Sequence, residues 1–217
     1  LQSVVRETAT QILSQEDWRG QEQAAFLMGA FDHEPSAGRL ITLLDAPRHE
    51  ARIAAAWALR KLAVDSTLPA MLVRTTRIVD KRNDDFDGTL DEQLVQLMQA
   101  FGQRKYKPAT DVLWRPIPKG SPFAIRERAA AIWALGHIDA GDRHLELSRL
   151  LQERLADAFG LMPEEMPVRT MSAISLGRMK DTDAMDKFRE FYEFDSPNSS
   201  VGLACRWAIH NITGEWL

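Results

Sequence analysis

The sequence predicts an all-α protein built of repeated helix pairs stacked side by side, and three observations carry that expectation. The segment Ala51–Leu62, "ARIAAAWALRKL", is nearly restated at Arg128–Ile138 as "RAAAIWALGHI". Weaker copies recur along the whole chain. No stretch of useful length alternates apolar and polar residues as a half-buried strand would.

With Arg60 as the reference point of the repeated segment, equivalent positions fall at Gly29, Gly102, Gly136, Gly177 and His210, 31 to 42 residues apart. A period of that size belongs to stacked helical units whose connecting loops differ in length. Within each copy the apolar residues occupy one helical face: Ala55, Ala58, Leu59 and Leu62, then Ala131, Ala134, Leu135 and Ile138, then Ser172, Ser175, Leu176 and Met179, then Cys205, Ala208, Ile209 and Ile212. Small side chains recurring at fixed positions let neighbouring helix axes approach the low end of the usual separation of about 8 to 10 Å.

From the amino terminus, "LQSVVRETATQIL" reads as a helix ahead of the first copy at "AAFLMG". "EPSAGRLITLL" is an amphipathic stretch that precedes the copy at Ala51–Leu62, with Pro47 just before the helix start. "STLPAMLVRTTRIV" follows, with Ser66 as its expected N-cap. Thr89 and Glu92 have the spacing of a capping box opening the helix that contains Gly102. The copy at Gly102 matches weakly, and residues 103–122 read as an irregular insertion. Pro122 stands ahead of the copy at Gly136, "GDRHLELSRLLQERLADAF" follows with Asp142 as cap, and Pro167 opens the copy at Gly177. "DTDAMDKFREFYEF", capped by Asp181 or Thr182, precedes the last copy at His210.

The stretches "LLDAPRHEARIAAAWALRKL", "AIRERAAAIWALGHIDAGD", "PVRTMSAISLGRMKDTDAM" and "SAGRLITLLDA" resemble HEAT repeats of the short bacterial, phycobilisome-lyase type. The resemblance covers nearly all of the chain. It implies a right-handed α-α superhelix, a HEAT/armadillo-like solenoid of about five to six helix pairs forming one domain over residues 1–217, with the "AAxALG" helices lining a concave face. It also implies that an arginine eight residues before the reference point, here Arg52, Arg128 and Arg169, holds the preceding inter-helix turns. Because the chain opens at Leu1 on a helical pattern, it reads as a piece of something longer.

Bulk properties narrow the function. Hydrophobic residues at 45% and charged residues at 27% are those of an ordinary globular protein. A net charge of −4 argues against bulk attraction to phosphate backbones, so nucleic acid is not the expected partner. Cys205 is the single cysteine, no apolar run approaches the roughly 18 residues of a membrane span, and a cytoplasmic location is expected.

Three residues before the reference point, a position that faces solvent in HEAT repeats, the copies carry Phe26, Trp57, Trp133, Ile174 and Trp207. One turn further on the same stripe carries Lys61, His137 and Arg178. Trp beside Arg is the composition enriched at binding hot spots, and inner helices about 8 to 10 Å apart would carry the row over some 40 Å, long enough for a peptide or a helix of several turns. Curvature could instead tuck the rings between repeats. A basic edge on an acidic protein favours an acidic, partly apolar protein or peptide. A second expected interaction site is the insertion, where Arg104, Lys105, Lys107 and Arg115 interleave with Tyr106 and Trp114.

No cofactor, metal or catalytic residue is expected. There is no Gly-rich phosphate loop and no nucleophile elbow. Asn83, Asp85, Asp87 and Gly88 sit at calcium-loop positions, but Leu94 replaces the twelfth-position Glu. His33-Glu34 and His49-Glu50 are not at equivalent repeat positions, so they form half of a di-iron ligand set at most. The leading expectation is a non-catalytic scaffold that binds a partner peptide or helix on the concave face. The alternatives are chromophore-lyase-like or chaperone activity, which the family resemblance makes thinkable, or an accessory docking module of a larger enzyme or assembly.

Overall fold

The computed structural model describes residues 2–82 and 88–216. Among them every regular element is helical. The chain falls into two compact units, one reaching Arg104 and one beginning at Lys105.

The first unit contains α1 (Gln2–Ser14), α2 (Trp18–Ala30), α3 (Ala37–Leu43), α4 (His49–Leu62), α5 (Leu68–Lys81) and α6 (Asp91–Gln103). They pair as α1 with α2, α3 with α4 and α5 with α6, and the second members α2, α4 and α6 lie side by side. The second unit repeats the plan with α7 (Thr110–Trp114), α8 (Ile125–Ile138), α9 (Leu145–Ala156), α10 (Met166–Arg178), α11 (Met185–Phe194) and α12 (Ser200–Thr213). Here α8, α10 and α12 form the continuous layer.

Small side chains make those layers. Ala51, Ala54, Ala55 and Ala58 of α4 are all fully buried, as are Ala131 and Ala134 of α8, Ser172 and Ser175 of α10, and Cys205 and Ala208 of α12. The reference glycines set the spacing. A Cβ on Gly29 would lie 2.9 Å from the Ala58 Cα, and one on Gly177 would lie 2.8 Å from the Ala208 Cα. At so close an approach the apolar faces exclude water, and Leu59, Leu135 and Leu176 are buried in the stack.

The connections after α2, α4, α6 and α10 share one geometry. Asp32, Ala63, Lys105 and Lys180, each three residues past a reference point, adopt positive φ of 49° to 59°. A 3₁₀ turn then leads into the next helix, at Glu34–Ser36, Asp65–Thr67, Lys107–Ala109 and Thr182–Ala184. Lys105 obeys this rule even though its copy matches weakly in sequence.

Several expected helix starts are different. Ser66 lies inside the Asp65–Thr67 turn and does not cap α5. Thr89 lies inside the 3₁₀ turn Gly88–Leu90, where its hydroxyl accepts from Arg52 Nη2 at 3.1 Å. Asp142 is displaced as cap by His144, whose Nδ1 accepts from the Leu147 amide at 3.3 Å. Asp181 caps as expected, accepting from the Asp183 amide at 3.1 Å. Helix α8 begins with half of a capping box: the Ala124 amide donates to Glu127 Oε2 at 2.7 Å. Residues 103–122, expected as an irregular insertion, contain α7 and bury Ala109, Val112, Leu113 and Ile117. The segment serves as the first member of the α7/α8 pair.

Candidate interaction surface

The three register arginines tie turns together. Arg52 Nη1 donates to the Ala46 carbonyl at 3.2 Å. Arg128 donates to the Pro116 and Ile117 carbonyls at 3.3 and 3.1 Å and forks onto Glu164 at 2.7 and 2.6 Å. Arg169 donates to the Leu155 carbonyl at 2.9 Å and forks onto Asp195. In the first repeat Gln21 holds the same position and donates to the Gln15 carbonyl at 2.6 Å. These side chains are engaged within the repeat stack.

The aromatic row is neither fully exposed nor enclosed, since Phe26, Trp57, Trp133, Ile174 and Trp207 are all half-buried. In the first unit the Phe26 and Trp57 rings meet edge to face with centroids 5.2 Å apart, and Lys61 is exposed. The Trp57 ring fits because its neighbour is glycine: a Cβ on Gly29 would stand 2.7 Å from Trp57 Cζ3. In the second unit Trp207 lies over Gly177 in the same way, where a Cβ would stand 3.0 Å from its Cζ3.

The second unit assembles the remaining residues. Trp133 packs on His137 with centroids 4.1 Å apart, and the Arg178 guanidinium stands between two indoles, 5.7 Å from the Trp133 centroid and 5.9 Å from that of Trp207. Arg178 has no hydrogen-bonding partner for Nη1, and no carboxylate forms an ion pair with it among the described residues. Burial lowers its pKa from the ordinary guanidinium value. His137 is pushed down to about 4, first by burial and then by the charges of Arg178 and Lys105, so it is neutral at neutral pH. Its Nε2 is buried without a partner.

Between α10 and α12 lies a groove of about 450 Å³ lined by Ile174, Arg178, Trp207, Thr170, Leu203 and Ala204, with Ser200 at its edge. Leu203 is 50% exposed. Thr170 and Leu203, which the sequence reading did not single out, occupy one position seven residues before the reference point. They extend the aromatic stripe by one helical turn toward the amino terminus, and following the i−4 step back from Ile174 and Trp207 would have found them.

The second expected cluster has residues in both units. Arg104 is committed to Asp65 at 2.7 Å, a bond that raises its own pKa, and belongs to the first unit. In the second unit Trp114 packs edge to face on His144 at 5.3 Å, Tyr106 is half-buried, and Lys105, Lys107 and Arg115 are exposed.

Among the described residues no three His, Cys, Asp or Glu side chains are placed to hold a metal ion. The calcium-like positions Asn83, Asp85 and Asp87 lie outside the described residues. His33 Nδ1 is 2.8 Å from Ser36 Oγ, and His49 lies beside Glu50. Cys205 is fully buried, and burial together with the nearby Asp195 raises its thiol to about 12, against a lowering by Arg169, so it carries no thiolate at neutral pH. No helix among the described residues is long and apolar enough to cross a membrane.

This architecture is that of an all-α helical-repeat solenoid, and solved structures share it. An engineered protein is 16% identical with a TM-score of 0.61 over 98% of both chains. A designed armadillo repeat protein is 14% identical with a TM-score of 0.59, over 95% of this chain and 99% of that one. No protein-family model and no curated protein matches the sequence.

Proposed function

We propose that the protein is a non-catalytic scaffold of the HEAT-like kind that binds a peptide or helix of another protein on the face of its second-helix layers. The observation that carries this reading is the aromatic row, which stays half-open in both units although a repeat stack could have enclosed it. Rigid rings with one face on a neighbouring helix lose little conformational freedom on binding, which favours their use as anchors. The designed armadillo neighbour lends support at the level of fold, since stacked helical repeats in general present extended surfaces on which a partner can lie. A partner in the same compartment is expected, and nothing in the residues calls for a cofactor.

The experiment is a comparison of wild type with the double substitution Trp57→Ala and Trp133→Ala as immobilised baits. The variant is expected to keep its helical circular dichroism and to lose the proteins that wild type retains. A folded variant that keeps every one of them overturns the reading.

A further inference from the structure

The groove between α10 and α12 combines apolar walls with one cation that the protein leaves unmatched. Ile174, Leu203, Ala204 and Trp207 form the walls, and Arg178 lines the same groove. Several arginines of this chain that approach burial have acidic partners: Arg128 has Glu164, Arg169 has Asp195, Arg74 has Asp45 and Arg82 has Asp91. Arg178 has two indole faces instead. Both rings stand close to the guanidinium, whose Nη1 is buried without a partner, while the side chain itself lines the groove. A guanidinium with no carboxylate of its own can offer an incoming one two parallel N–H bonds.

The surroundings favour one negative charge. His137, on the adjoining helix α8, is neutral and so adds no second positive charge beside Arg178. One guanidinium balances one carboxylate, whereas a phosphate dianion would bring excess charge onto apolar walls. Resting on the scaffold reading above, the geometry points to an acidic, partly apolar peptide as the occupant: an Asp or Glu carboxylate forked onto Arg178, with a neighbouring aliphatic or aromatic side chain between Ile174, Leu203 and Trp207.

The test uses a displayed pool of random peptides selected on the whole protein, with Arg178→Gln and Arg178→Lys selected in parallel. Wild type is expected to enrich sequences with Asp or Glu next to an apolar residue. A synthetic winner should weaken about tenfold or more when its acid is replaced by the isosteric amide, the scale of a lost charged hydrogen bond. Arg178→Gln should bind the acidic and amide forms alike, and Arg178→Lys should fall between. Because Arg178 makes no hydrogen bond among the described residues but rests against two indoles, Arg178→Gln and Arg178→Lys should keep the helical circular dichroism of wild type with a modest drop in thermal midpoint, which separates lost binding from lost folding. Neutral or basic winners, or acidic winners that bind Arg178→Gln equally well, would overturn the carboxylate assignment and leave the scaffold reading standing. A wild-type selection that enriches nothing would overturn both.

Discussion

Arg128 and Glu164 show what a single buried pair does in this protein. Both are almost fully buried, and the fork between them also carries two backbone carbonyls of the preceding turn. Removing Arg128 leaves the buried Glu164 carboxylate with Arg154 alone at 3.4 Å and the two carbonyls unpaired, so Arg128→Met should destabilise by about 2–4 kcal/mol, read from the midpoint of urea unfolding. Burial alone would raise the Glu164 carboxyl. The Arg128 bonds, the Glu165 amide and the charges of Arg128 and Arg154 outweigh it and hold the group below the ordinary 4.5. A depressed folded pKa contributes stability above the unfolded value and loses it as pH falls through the folded one. The gap between wild type and Arg128→Met should therefore narrow below pH 4.5. The arginine was legible in the sequence through its register, but its acceptor was not. Glu164 lies in a loop of no fixed length, 36 residues away, and only the fold brings it within reach.

Elements of this chain are spaced by what their helices lack. A methyl group on Gly177 would stand 2.7 Å from the Ala208 Cβ and 2.8 Å from its Cα, and a backbone cannot yield as a flexible side chain does. Gly177→Ala should push α10 and α12 apart and cost about 1–3 kcal/mol in stability, measurable as a lowered thermal midpoint; an unchanged midpoint would mean that the layer slides freely. The layers were legible because small residues recur at a fixed register. The short helix α7 was not, since Pro108 and Pro116 bracket a helix of five residues, too brief to show a period. The caps expected at Ser66 and Thr89 slipped for a related reason. The 3₁₀ turns occupy the residues where an N-cap would stand, and a turn of three residues leaves no periodic trace.

On the scale of the whole chain, stability in a repeat stack comes from each unit's contacts with its neighbours, not from one shared core. Deleting residues 1–31 would remove α1 and α2 and uncover the flank of α4, where Trp57 and Ala58 lie against Gly29. The shortened protein should aggregate or bind a hydrophobic dye. A soluble form that melts cooperatively would show that the first pair is dispensable. The helical-repeat fold was readable from self-similarity alone, and the structural neighbours at 14–16% identity share it without sharing sequence. The candidate surface was readable only in part, because the sequence identifies which residues share a stripe but not how deeply each ring sinks. That depth is decided from across the interface: indole and underlying glycine belong to consecutive repeats. Mutational drift at a hidden glycine could therefore raise or lower a ring, and remodel what the protein recognises, without changing any side chain a visitor touches.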